Sequence, residues 1–281
     1  MRLSRVGDEA DMSTRDVEPD KAEKDPEPEE SVDVLAPMAE TRPDTTTLKQ
    51  TARLAGLAYL GLAIFGLLGN VVIRNRLYVS GDAVATAAKL AGHETLARFG
   101  IAADLMTVVT QSLAALFFFK LFREVNAFAA GSIAAFGFMN SVALLASTVF
   151  TATALEMVVA GTVGDPTTPF MLYNLSDGAW GTGALFFGLW LIPLGWLVLR
   201  SGYMPRPLGW ILMGGGVCYL LSAFVRYLAP DASSVTDALL APASVGEFWM
   251  IGYLLMKGVR QGLSSRAGTR PALPVEQGGH R

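Results

Sequence analysis

The sequence predicts an all-α integral membrane protein: a six-transmembrane-helix bundle with a disordered acidic N-terminal tail and a short helix in its first outer loop. Three observations predict it. Six apolar stretches of about twenty residues recur along the 281-residue chain, the length a helix needs to cross about 30 Å of hydrocarbon. Acidic residues crowd one end of the chain. Lysine and arginine alternate between loops in the manner that sets membrane topology.

Taken in order, residues 1–48 contain 14 acids and 6 bases, against 11 acids and 16 bases in the remainder. The run DKAEKDPEPEE over residues 20–30 cannot bury enough apolar surface to offset its ordering entropy. This segment is expected to be a disordered cytoplasmic tail. No apolar stretch follows Met1-Arg2, so it does not read as a secretory signal. Residues 49–260 are assigned to the membrane domain and 261–281 to a second disordered tail. The six apolar runs cover 54–73, 99–119, 127–155, 178–199, 207–225 and 238–256. Between the first two, Ser80 and Asp82 fit as N-caps for a helix over 83–91 ended by Gly92, either interfacial or lying across the bundle mouth.

Arg42, Lys49, Arg53, Lys120, Arg123, Arg200, Arg206, Lys257 and Arg260 all fall on one side of six spans. The opposite loops, 156–176 and 230–237, have no lysine or arginine; the exception is the first loop, with Arg74, Arg76, Lys89 and Arg98. Both termini are therefore expected in the cytoplasm.

Charges inside the apolar runs are the candidate functional residues, because a charge at the bilayer centre costs at least about 2.5 kcal/mol and needs a partner or a wet cavity. Arg98 and Asp104 enter the second helix, Asp177 starts the fourth, where it fits an N-cap, Arg226 sits near the outer end of the fifth, and Glu247 lies within the sixth. These five form the expected ligand site or ion-pair network, with Asp104, Arg226 and Glu247 joined across helices 2, 5 and 6. Gly181, Gly188 and Gly195 recur every seven residues and predict a face for close helix packing. Pro193 and Gly214-Gly215-Gly216 predict a kink and a soft point. Arg200 and Arg206 flank a turn with Gly202, Tyr203 and Pro205 at the headgroup level, suited to a rigid hairpin anchored on lipid.

Absences narrow the chemistry. Cys218 is the only cysteine, and the two histidines, His93 and His280, lie in a loop and beside the C-terminal residue. A cysteine cluster, a bis-histidine haem, an HExxH zinc site and a P-loop are excluded. No metal and no cofactor is expected, no catalytic residue is assigned, and the chain does not read as an enzyme. Nucleic acid is not an expected partner.

The stretch with FFGL at 186–189, LGWL at 194–197, RSGYMPR at 200–206 and LG at 208–209, together with SGDA at 80–83, RFGI at 98–101, Asp104-Leu105, Gly246-Glu247 and KGV at 257–259, resembles an uncharacterised bacterial membrane family catalogued as domain of unknown function 4386. The resemblance covers about residues 50–260. It implies a six-helix inner-membrane protein and no particular activity. Members of that family carry a histidine just ahead of the position of Asp177, where this chain has Ser176. The function expected is that of a multi-pass membrane protein binding a lipid or small lipophile in an outward-facing polar pocket, or acting as a membrane subunit or sensor. The alternative is a proton- or solute-coupled transporter using the outer-half carboxylates. Membrane lipids are the expected partners, with a homo-oligomer or another membrane protein left open.

Overall fold

A computed structural model describes residues 45–161 and 164–260, so the acidic tail up to residue 44 and the tail from 261 lie outside the described residues. Eight α-helices run in the order α1 (Thr45–Gly66), α2 (Arg74–Leu77), α3 (Ala83–Gly92), α4 (Glu94–Phe122), α5 (Ala127–Val159), α6 (Thr167–Ser201), α7 (Arg206–Leu228) and α8 (Ser233–Met256), with a π-helical stretch Leu67–Ile73 joining α1 to α2. The described residues contain no strand. Six helical spans are long and apolar enough to cross a membrane, α1 with its extension to Leu77 counting as one.

The bundle is a ring. Each of α4 to α8 packs on its chain neighbour, α1 packs on α4, and α8 closes back on α1 over the ring's smallest contact. Lipid removes the hydrophobic drive between helices, so the chain sorts by size: large apolar side chains such as Leu57, Val109, Leu116, Val142 and Phe224 point outward, while Ala52, Ala55, Ala114 and Ala115 are fully buried. Interior hydroxyls return to their own helix. Thr107, Thr110 and Thr148 donate to the carbonyls of Ala103, Met106 and Leu144 at 2.7–2.9 Å, so these three donors are not stranded in the dry interior. The centre is aromatic: Trp190 meets Tyr59 and Phe118 with ring centroids 5.9 and 5.7 Å apart. Gly137 makes room for it, since a Cβ there would lie 2.8 Å from the indole.

Local signals explain the ends. The Asp82 side chain accepts from the Ala85 amide at 2.8 Å, capping α3 as expected. Asn126 does the same for α5 through Ala129. Gly202 ends α6 in the left-handed conformation (φ 65°), which a side chain would strain. Three boundaries differ from the sequence reading. Residues 45–48, assigned to the tail, form the first turn of α1. The fourth span starts at Thr167 rather than near Asp177, because Asp165 accepts from the Thr167 amide and hydroxyl at 2.9 and 2.6 Å and so opens a helix eleven residues ahead of the apolar run. Those two bonds, the hydroxyl's first, hold the Asp165 carboxyl below the ordinary carboxylate range. The first span continues past Ile73 through the π stretch, at Gly69-Asn70, two weak helix formers.

The glycine repeat on α6 faces α7. A Cβ on Gly188 would lie 2.8 Å from the Gly216 carbonyl, and one on Gly195 would lie 2.5 Å from the Gly209 carbonyl. Both helices supply glycine at each crossing. Pro193 lies between them, inside a helix that continues to Ser201. Gly195→Ala, which drives its new methyl into backbone that cannot rotate away, is expected to destabilise the bundle by about 1–3 kcal/mol. Gly131→Ala, with open space around its Cβ position, is expected to be neutral or stabilising by up to about 1 kcal/mol. Thermal melts of the two in detergent check this, and equal effects would remove the packing role of the stripe.

Candidate functional site

Polar side chains gather at two levels of the bundle. At the end that carries α3, the centre is Arg74, the first residue of α2. Its guanidinium donates to the Ser176 hydroxyl at 3.0 Å and the Tyr173 carbonyl at 2.8 Å, lies 5.2 Å above the Tyr173 ring, and sits 3.9 Å from an Asp177 oxygen. Only 11% of the side chain is exposed. Behind it, Ser176 is fully buried and its hydroxyl is shared with Ser147 and Thr151, both at 2.8 Å. Asp177 also pairs with Arg226, whose guanidinium packs on Gly181. The cluster thus runs from α2 through α6 to α7. The π-helical stretch places Gly69 against Asp104; a Cβ at Gly69 would collide with the carboxylate, whose Oδ1 is buried without a hydrogen-bond partner among the described residues.

Deeper, between α1, α6 and α8, lies a cavity of about 210 Å³. Its floor is the pair Tyr59 and Glu247, with the tyrosine hydroxyl donating to Glu247 Oε1 at 2.8 Å. Trp180, Phe187 and Tyr219 wall it, Thr107 and Asn140 add polar groups, and Leu67 and Phe248 line it. The last two are also 56% and 63% exposed on the outer surface, so they form a rim open to lipid between α1 and α8. From Tyr59 to Leu67 the helical rise is about 12 Å, which sets the cavity's depth. One turn below Thr107, Gln111 is fully buried with neither amide atom hydrogen-bonded among the described residues.

The sequence-selected charges are therefore divided. Arg226 meets Asp177, not Glu247. Glu247 packs beside Gly246, which touches Leu212 on α7. Arg226 lies fourteen residues further along that helix, about 20 Å at 1.5 Å per residue. Proximity to a span's outer end did not translate into a common depth, because α8 begins five residues before its apolar run. Asp104 has Arg74 as its nearby cation. Arg98 pairs with Glu94 one turn away at 2.7 Å, both exposed, and joins neither centre. Asp177 is the eleventh residue of α6, so it is not an N-cap. Gly181, assigned to helix packing, instead admits the Arg226 guanidinium.

The loop motif is organised as a docked turn. Arg200 lies 5.1 Å over the Trp196 ring, Tyr203 stacks on Phe122 with centroids 6.0 Å apart, and the Tyr203 carbonyl accepts from the Arg260 amide at 2.9 Å. Pro205 precedes α7 in an extended conformation and Arg206 is its exposed first residue. Burial, and then the Glu124 carboxylate, push the Tyr203 hydroxyl above its usual value.

Residues missed from sequence are Arg74 and Tyr59. Arg74 did leave a signal, as one of the few bases on the side otherwise free of them. Tyr59 left none, since its partner is 188 residues away.

Arg74→Ala is expected to cost about 3–5 kcal/mol, because it strands buried acceptors and a nearby carboxylate. Arg226→Ala breaks a pair exposed by 41% and 49% and is expected to cost about 1 kcal/mol or less. Adding Glu247→Gln to Arg226→Ala should be additive, given their separation. Melting temperatures of the purified variants test the order, and a larger loss for Arg226→Ala would refute it.

No curated protein and no solved structure matches the chain. One protein family does, described as a domain of unknown function (DUF4386), over residues 54–258. That match reaches all six spans and both polar centres, and the chain belongs to the DUF4386 family.

Proposed function

We propose that the protein binds a small lipophilic molecule in the cavity between α1, α6 and α8, taking it from the hydrocarbon layer. One observation carries the reading: a cavity of about 210 Å³ whose walls are largely aromatic and aliphatic, whose single acid, Glu247, is paired with Tyr59 at the floor, and whose rim residues Leu67 and Phe248 are also exposed on the outer surface. An apolar hollow of about 150 Å³ holds benzene, so this one takes about one ring with a small head group. Apolar walls with a few placed polar groups are the usual form of a small-molecule site.

Two single-ring probes of matched shape, benzyltrimethylammonium and neopentylbenzene, test the reading on the full chain in lipid nanodiscs. At least one should bind saturably, and Ala184→Phe, which puts a ring into the cavity, should remove that binding. Saturable binding of neither, or binding that Ala184→Phe leaves intact, would overturn the proposal.

The orientation belongs to the same proposal: the end bearing Lys49, Arg123, Arg200 and Arg260 is cytoplasmic, in the inner membrane, with the rim nearer the outer leaflet. The support is the distribution of bases between the two ends of the bundle. In a Cys218→Ser background, cysteines at Asp165 and Ser233 should react with an impermeant reagent added outside whole cells, and one at Ser201 should not. Labelling at Ser201 alone would reverse the orientation.

A further inference from the structure

Resting on that reading of the cavity, we infer that its ligand class is a lipophilic cation: an amine or quaternary ammonium carried on about one aromatic ring. The charge balance of the lining points there. Glu247 is the one acid among the lining residues, and no lysine, arginine or histidine lines the cavity. Its hydrogen bond comes from a neutral group, Tyr59. Two span arginines, Arg226 and Arg74, are engaged elsewhere, Arg226 with Asp177 and Arg74 with Ser176, Tyr173 and Asp177. A carboxylate held away from water without a cation is among the costliest groups to bury. Alone in the cavity such a group keeps its proton; a bound ammonium supplies the counter-charge that lets it ionise and pair, whereas an anionic ligand would be repelled by that ionised form and an uncharged one gains no charge pairing.

The walls add a second, independent argument. Tyr59, Trp180, Phe187, Tyr219 and Phe248 all line the same space. Ring faces attract a cation within about 6 Å of their centroids, and quaternary ammonium groups are recognised by such aromatic enclosures. Phe187 and Tyr219 meet edge to face with centroids 5.2 Å apart, so together they present both a ring face and a corner in which a methylated head group can sit. The polar floor and the aromatic walls thus select the same chemistry, and the lipid-facing rim selects a ligand that partitions into the bilayer before it enters.

The two probes introduced above differ only in a nitrogen for a quaternary carbon, so shape is held constant and charge alone varies. For the full chain in nanodiscs, binding is taken as the saturable signal that Ala184→Phe removes. Benzyltrimethylammonium is expected to bind at least about tenfold more tightly than neopentylbenzene. Glu247→Gln, which keeps the side chain's size and its capacity to accept from Tyr59, is expected to abolish that preference; should the variant fold poorly, the comparison of the two probes on the native chain still decides. Equal binding of the two, or tighter binding of neopentylbenzene, overturns the inference and leaves the lipophile cavity standing. A preference for the cation that survives in Glu247→Gln overturns the role of the carboxylate. Binding of neither probe overturns the cavity reading, and the inference with it.

Discussion

A bilayer interior offers a polar side chain no solvent partner, and the architecture of this bundle follows from how each such group is answered. At the α3 end the answer is mutual: Arg74 is held by a hydroxyl, a carbonyl and a ring face, while Asp177 stands between Arg74 and Arg226. Positive and negative groups there meet within the protein itself. Several features at that level serve this arrangement, including the π-helical stretch that leads into Arg74, the glycine that admits Arg226 and the hydroxyl group of Ser176 with its two neighbours.

Glu247 is answered differently. Its partner is a tyrosine, and the space around it is a cavity bordered by aromatic rings and open toward lipid. A chain that matches charges carefully at one level and leaves a carboxylate without a cation at another has separated a structural cluster from a receptive one. The glycine crossings between α6 and α7 make that separation rigid, because backbones in contact at Gly188 and Gly195 leave little freedom for the walls to collapse inward. The smaller contact between α8 and α1 falls where Leu67 and Phe248 line the opening.

Much of the fold was legible in the sequence for a simple reason: hydrocarbon thickness acts on composition, which the chain displays directly. The six spans and the capped helix after Asp82 were both read directly. What was not legible depends on relative depth and on contacts between distant segments. The polar start of α6 was hidden because Asn174, Ser176 and Asp177 interrupt the apolar run, although Asp165 and Thr167 carry an N-terminal signal. Arg74 read as a loop residue because the span was judged to stop with its apolar run. Glu247 was recognised as out of place but given the wrong partner, since the register of α8 against α7 is fixed by Gly215 meeting Ala243 and Gly246 meeting Leu212, contacts that no spacing within one helix reveals.

The account depends on Glu247 standing at the floor of a ligand cavity rather than in a sealed core. An anomalous scattering map from crystals of the full chain grown with 4-bromobenzyltrimethylammonium tests this most directly. The account predicts one strong bromine peak inside the bundle, against Trp180 and Phe187, with the ammonium beside the Glu247 carboxylate. A cavity without bromine, with peaks confined to the lipid-facing surface, would contradict it.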